Sequence, residues 1–344
     1  MPLHIRRLPP QACVTVDAPA RLHLGFLDPS ASLGRAFGSL GLVIEGEGTQ
    51  IEARHAEHEQ IEGTATQSER ERIAICLERL KAAYGPLTLA IHVRRTPRAH
   101  TGLGSGTQLA LAVGTAFVRL AGCEATSAEL AALLGRGMRS GIGVLGFDSG
   151  GLLLDAGPGE PPRNAVAPLI SRQPFPERWR VLLVTDHSRE GLHGAEERRG
   201  LAALAPFPRE LAAHLCHVVL MQILPGAAEA NFAPFARGVT DMQQTIGEYF
   251  APVQGGVFTS PDVERAVRAV AAERLAGIGQ TSWGPTGFAI VGSAREAELA
   301  LATARDATRG MPHIECAIVS GRNRGATVRA AESRQLRQAR VDAA

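Results

Sequence analysis

With 344 residues, 45% of them hydrophobic, the chain can bury a large core, and at about 150 residues per domain it has room for two. Charged residues make up 20% and the formal net charge is +2, which argues against long disordered tracts and gives no electrostatic case for nucleic acid or an acidic membrane as partner. Cys13, Cys76, Cys123, Cys216 and Cys316 are scattered and never spaced C-x-x-C, so a disulfide framework or structural zinc is not expected. With neither a basic-then-apolar leader nor a run of about 18 apolar residues, the expected setting is the cytoplasm.

In chain order, residues 13–17 alternate like a strand that Ala18-Pro19 ends, and Leu22–Phe26 reads as a second short strand. Gly34–Gly41 reads as a turn and Leu42–Ile51 as strand. Ser68–Tyr84 has helical periodicity, with Ile73, Leu77 and Leu80 on one face, and Gly85-Pro86 stops it before the strand Leu87–Val93. Residues 101–107 form a glycine-rich loop leading into the small-residue helix Gln108–Leu120. Ser127 is the expected N-cap of a helix to Leu134, with Glu129 in its first turn. Glycines return over 135–151 before the strand Leu152–Asp155. The proline-rich stretch 156–176 reads as a connection. Beyond it come a strand at Trp179–Thr185, helices near 209–223, 229–249 and 261–275, strands near 287–291 and 313–319, and a helix at 295–308. This order gives an α+β chain with domains at 1–165 and 175–330 and a polar tail at 331–344.

The loop Gly102-Leu103-Gly104-Ser105-Gly106-Thr107 is the stretch with the clearest chemical content. Glycine lets the backbone approach a ligand, and the helix behind it offers free N–H groups at the positive end of its dipole. Such a loop cradles phosphate, with Ser105 and Thr107 as added donors and Gln108 opening the helix. A tight strand-to-helix turn without a ligand explains the same residues. Lys81 is the only lysine, so an anion here must be met by arginine, backbone or metal.

Gly102–Thr107 before a small-residue helix resembles the second motif of the GHMP kinases, P-x-x-x-G-L-G-S-S-A. Ala18–Gly25 (APARLHLG) resembles their first, A-P-G-K-x-x-L-x-G-E-H, and Gly284–Phe288 (GPTGF) stands at their third. The resemblance implies a GHMP-kinase-like two-domain fold: an N-terminal domain of the ribosomal protein S5 domain 2 type and a ferredoxin-like C-terminal domain. The departures fall on the chemistry. Arg21 replaces the kinase lysine, Phe26-Leu27 replaces Glu-His, and Gly143 stands where a P-S-G-I-D motif has its acid. Asp148 lies near enough in sequence to substitute, so an ATP-dependent small-molecule kinase is the alternative reading.

The wording at Arg21–Asp28, Gly34–Gly41, Gly102–Gly114, Gly135–Gly143, Phe147–Asp155, Gln254–Gly256 and Gly279–Phe288 resembles the β-ribofuranosylaminobenzene 5′-phosphate synthases over roughly residues 13–330, with Thr281 where serine is expected. This implies an enzyme of methanopterin biosynthesis. It would condense phosphoribosyl pyrophosphate with 4-aminobenzoate and release CO2 and pyrophosphate, with Mg²⁺ as cofactor and a homodimer as the expected assembly. A non-catalytic metabolite-binding protein is a third reading.

For that chemistry Arg21, Asp28, Arg35 and Asp148 are the expected catalytic residues. Arg21 stands in the lysine position, Arg35 would clamp a carboxylate or 5′-phosphate, and Asp148 with Ser105 would hold the metal. His23 alternates with Arg21 and Gly25, so the three share one strand face. Arg136, Arg139 and Ser140 in the second glycine run, and Gln280, Ser282 and Trp283 in the third motif, complete the expected substrate contacts, Trp283 as a stacking surface for the aromatic acid. Surface ion pairs for the arginines, turn capping for Asp17, Asp28, Asp148 and Asp155, and core packing for Trp283 remain open. His187 and His193 flank a loop that reads either as a lid or as plain surface. His214 and His217 read as ordinary helix residues.

Overall fold

The computed structural model describes residues 9, 11–159, 166–192 and 194–332; His193 and most of the expected polar tail lie outside them. Two sheets organise the chain. In order the elements are β1 (Ala12–Asp28), β2 (Phe37–His55), β3 (Gln60–Gly63), α1 (Gln67–Tyr84), β4 (Leu89–Arg95), α2 (Ser105–Ala121), α3 (Ser127–Leu133), α4 (Ile142–Ser149), β5 (Leu152–Asp155) and β6 (Leu169–Gln173). There follow β7 (Arg180–Asp186), α5 (Gly194–Ala203), α6 (Arg209–Val218), α7 (Leu224–Ala228), α8 (Phe232–Gln254), α9 (Pro261–Glu273), β8 (Gly277–Gln280), β9 (Thr286–Val291), α10 (Ala294–Ala307), β10 (Ile314–Val319) and β11 (Thr327–Glu332).

The first sheet runs β11-β1-β2-β4-β3, with β5 and β6 branching from the other half of β2. The 19-residue β2 makes this possible: Gln50–His55 pair with β4, while Ser39–Leu42 pair with β5. The second sheet has the order β10-β7-β9-β8. Numbered within its own unit that is 4-1-3-2, with helices between the first and second and between the third and fourth strands, which is the ferredoxin-like arrangement.

Strand alternation decides where the cores lie. Val181, Leu183, Phe288 and Ile290 face Leu22, Leu24, Leu40 and Leu42 of the first sheet, together with Leu215, Phe235 and Met242 from the helices. The intervening residues Leu182, Val184, Ala289 and Val291 face α9 and α10. On the far side of the first sheet Val14, Val16, Ile51 and Ile91 pack against α1 and α2. A shared apolar core therefore joins the two sheets.

Several local readings change in three dimensions. β1 is one strand of 17 residues, because a register shift between Pro19 and Ala20 absorbs the proline's missing N–H without ending the pairing to β2. The N-cap of α3 is Thr126, one residue before the expected Ser127. Its hydroxyl accepts the Glu129 N–H while Glu129 reaches back to the Thr126 N–H. Part of the second glycine run is helical as α4. The long apolar helix Arg209–Ala228, broken by a π-turn over Val219–Ile223, has the length and mean hydropathy of a membrane span, but its Ala212, Leu215, Val218, Val219 and Ile223 are buried in the core.

Candidate active site

The glycine-rich loop forms because its backbone has no room for side chains. At Gly102, φ is +84° and a Cβ would stand 2.4 Å from the Thr281 carbonyl oxygen. At Gly104, φ is +82° and a Cβ would stand 3.2 Å from the Arg21 guanidinium. Gly104 is the N-cap of α2, with no side-chain cap and no acid in the first turn, so the positive end of this 17-residue helix stays uncompensated.

Arg21 fills the corner beneath the loop. Its Nη1 donates to the Gly102 carbonyl, and among the described residues no carboxylate pairs with it. Burial pushes its pKa down to about 10, which still leaves a cation at neutral pH. The Thr281 hydroxyl ties the corner together, accepting the His23 N–H at 2.8 Å and donating to the Gly102 carbonyl at 2.9 Å. His23 itself is 6% exposed and packs edge-on against Phe26. Its Nε2 is buried with no hydrogen-bond partner among the described residues. Burial, with Arg21 and Arg139 nearby, pushes its pKa down to about 3, so the ring is neutral.

The loop between α3 and α4 also lines the cavity. Arg139 Nη2 pairs with Glu197 Oε2 at 2.8 Å, and Trp283 Nε1 donates to Glu197 Oε1 at 2.9 Å, so one carboxylate of α5 joins two motifs. The buried Asp155 carboxylate holds the start of α4, accepting the Ser39, Gly141 and Gly157 N–H groups and the Ser140 hydroxyl. Gln108 Nε2 donates to the Gly143 carbonyl at 2.7 Å, and a Cβ on Gly143 would stand 3.1 Å from Thr107 Cγ2. Gly143 is thus packed against the glycine-loop helix.

These elements enclose a cavity of about 960 Å³, within the range of a site for small molecules. Of the expected residues, Arg21, His23, Thr107, Arg136, Arg139, Ser140, Gln280, Ser282 and Trp283 line it. Gly102, Leu103, Gly104, Ser105, Gly106 and Gln108 build the loop and helix start behind Arg21 and Thr107. Leu103 is a core residue whose carbonyl accepts the Arg21 N–H. Gln280 is a brace: its side chain accepts the Thr259 N–H and donates to Gln254. Trp283 packs on Phe250 at 4.7 Å while lining the cavity, which makes it both anchor and wall.

Asp28, Arg35 and Asp148 are not among the described residues lining the cavity. Asp28 caps its own turn, accepting the Ser30 and Leu33 N–H groups and the Ser32 hydroxyl. Arg35 is exposed and donates to the Ala156 and Gly157 carbonyls. Asp148 is exposed on α4, accepting the Ser127 hydroxyl. Glu197 is the only carboxylate among the described lining residues and is already engaged, so this residue set does not fit a protein-held divalent cation. One group with metal-ligand spacing, Asp186, Asp262 and His313, lies elsewhere, and there the Ser188 and Ser260 hydroxyls already occupy Asp186. His187 is partnered with Glu315 on the surface, and His214 with Asp241. Sequence reading missed Phe26, Glu197, Gln243 and Phe250. The last three sit on helices whose inward faces look like ordinary core.

Residues 71–151 match the family model for the GHMP kinases N terminal domain. A homoserine kinase from Cytophaga hutchinsonii superposes with a TM-score of 0.65 at 15% identity, covering 95% of this chain and 100% of that one. A mevalonate pyrophosphate decarboxylase from Streptococcus pyogenes gives 0.65 at 12%, covering 92% and 99%. At such identities the likeness establishes the fold. A β-ribofuranosylphenol 5′-phosphate synthase of Archaeoglobus fulgidus is 34% identical over 291 residues, spanning 80% of this chain and 87% of that protein. A protein of the same name from Methanothermobacter thermautotrophicus is 27% identical over 328 residues, spanning 90% and 97%. With a GHMP-kinase fold and relatives this similar over most of their length, the chain belongs to the β-ribofuranosylphenol 5′-phosphate synthase family of enzymes.

Proposed function

We propose that this enzyme joins phosphoribosyl pyrophosphate to the ring of a para-substituted benzoate, releasing CO2 and pyrophosphate. The observation that carries this reading is a single cavity with Arg21 and an uncapped helix end at one corner, and Arg139, Phe26, Phe250, Trp283 and a neutral His23 in its walls. In the reaction the C1–O bond of the ribose breaks with its electron pair leaving on pyrophosphate. The ring carbon bearing the carboxylate forms the new bond to C1. The bond to CO2 then breaks, and its pair restores the aromatic ring.

Arg21 and the α2 N–H groups supply fixed positive charge where the leaving group develops negative charge. Arg139, paired with Glu197 through Nη2, offers its unpartnered Nη1 to the benzoate carboxylate, and the aromatic wall holds the ring and excludes water from the cationic ribose carbon. Magnesium enters only as a counter-ion carried by the donor's pyrophosphate. The relatives' names specify a phenol product, whereas the sequence wording resembles the aminobenzene enzymes. 4-Hydroxybenzoate and 4-aminobenzoate are therefore both acceptors to test, and both release electrons from the para position. A cytoplasmic homodimer is the proposed assembly.

The test is release of labelled CO2 from carboxyl-labelled 4-hydroxybenzoate or 4-aminobenzoate with purified protein. Release that requires both donor and acid supports the reading. ADP formation from ATP and an alcohol, without CO2, replaces it with the kinase.

A further inference from the structure

Beside the Arg21 corner, Arg136 lines the cavity and the arginines Arg72 and Arg79 of α1 lie near it. Arg136 Nη1 is 3.6 Å from where a Cβ on Gly106 would stand, so it adjoins the first turn of α2. Arg79 of α1 brings its Nη1 to 3.3 Å from where a Cβ on Gly135 would stand, and Gly135 also lines the cavity. Arg72 lies seven residues earlier on α1, hence on the same face two turns away, and acts with Arg79 as a like charge on Arg136. Its Nη2 stands 2.9 Å from His100 Nε2.

Among the described residues none of these three arginines has a carboxylate within ion-pairing distance, unlike Arg139. Arg136 Nε is buried with no hydrogen-bond partner, and burial together with Arg72 and Arg79 pushes its pKa down. Three cations held together without an anion repel one another, and a planar guanidinium left unpaired fits a phosphoryl group by paired N–H donors.

We propose that Arg72, Arg79 and Arg136 form a second phosphoryl subsite, on the Gly106 side of the first turn of α2. It takes one end of a substrate phosphorylated at both ends. This rests on the donor named under the proposed function, whose ribose carries pyrophosphate at one end and a monophosphate at the other. The second group of cations supplies a place for the end that Arg21 does not hold.

The test uses R72Q/R79Q, which changes only the polar side of α1 and leaves Ile73, Cys76, Leu77 and Leu80 in the core. The single variant R79Q serves as a milder companion. Ribose 5-phosphate and inorganic pyrophosphate are each titrated calorimetrically into native and variant protein. We expect the Kd for ribose 5-phosphate to rise at least about tenfold in R72Q/R79Q, with pyrophosphate changing less than about twofold. The mirror result keeps the subsite and assigns it to the pyrophosphate end. Unchanged affinity for both probes, or no binding of either to native protein, overturns the proposal. Neither titration depends on turnover. Weakened binding in the variant with no CO2 release by native enzyme leaves the subsite and removes the synthase reading; CO2 release with unchanged binding removes the subsite alone.

Discussion

The Thr281 hydroxyl satisfies two buried backbone groups at once, the His23 N–H on β1 and the Gly102 carbonyl on the glycine loop. Thr281→Val keeps the volume and removes both bonds. The Gly102 carbonyl retains Arg21, but the His23 N–H is left bare, at a cost of about 2–3 kcal/mol in urea unfolding. Thr281→Ser keeps the hydroxyl and is expected to stay within about 1 kcal/mol of native. Equal losses in the two variants would show that the methyl, not the hydroxyl, matters. His23 gives a pH signature. Its folded pKa, about 3, lies below the ordinary 6.5, so the unfolded chain takes a proton that the folded chain refuses. Its share of stability is complete above about pH 6.5 and is lost as pH falls toward 3, at up to about 1.4 kcal/mol per pH unit. Urea titrations from pH 7 to 4.5 should show a shallower acid limb in His23→Gln; parallel limbs would mean that the native ring charges freely. At this scale the sequence made Arg21 and His23 legible, because strand alternation puts them on one face. Asp28, Arg35 and Asp148 fall outside the cavity lining: an acid beside a turn, such as Asp28, looks the same in sequence whether it caps the turn or faces a ligand, and an arginine in a glycine-bearing loop looks the same whether it meets an anion or, as Arg35 does, backbone carbonyls.

Among the elements, the glycine loop and α2 bring the motifs together. Gly102→Ala would set a Cβ 2.4 Å from the Thr281 backbone oxygen at a φ that side chains rarely adopt, so the third motif must move. We expect a loss of more than about 3 kcal/mol and abolished ligand binding. Gly104→Ala meets only the flexible Arg21 side chain, 3.2 Å away, and should cost about 1–2 kcal/mol while displacing Arg21 and weakening pyrophosphate binding. If Gly104→Ala proved the more damaging of the two in thermal unfolding, the backbone contact between the motifs would not be what fixes the loop. The loop was readable from its glycines and from the helix behind it. Glu197 was not, since an acid in the first turn of α5 also reads as a favourable charge at a helix start. Only the fold shows that the same carboxylate reaches Arg139 and Trp283.

Across the whole molecule, the last described strand returns to the first sheet. β11 pairs antiparallel with β1 from Ala12↔Glu332 to Asp17↔Thr327, and the buried Arg322 just before it is bonded to Glu45. Six residues between a glycine-containing stretch and a polar tail gave no period from which this pairing could be read, because its partner lies some 300 residues earlier in the chain. Ending the chain at Ala326 would strip β1 of that partner and leave its N–H and C=O groups unpaired along one edge beside the buried Val14 and Val16. The damage should stop at the register shift between Pro19 and Ala20. Beyond it β1 is held by β2, and Leu22 and Leu24 lie in the core between the sheets. Hydrogen exchange read by mass spectrometry is therefore expected to show lost protection over 12–17 and retained protection over 20–25 in the shortened chain, with pyrophosphate binding weakened by less than about threefold. Protection lost evenly along the strand would mean that the site-bearing half of β1 depends on its C-terminal partner, and that the two halves of this strand unfold as one unit.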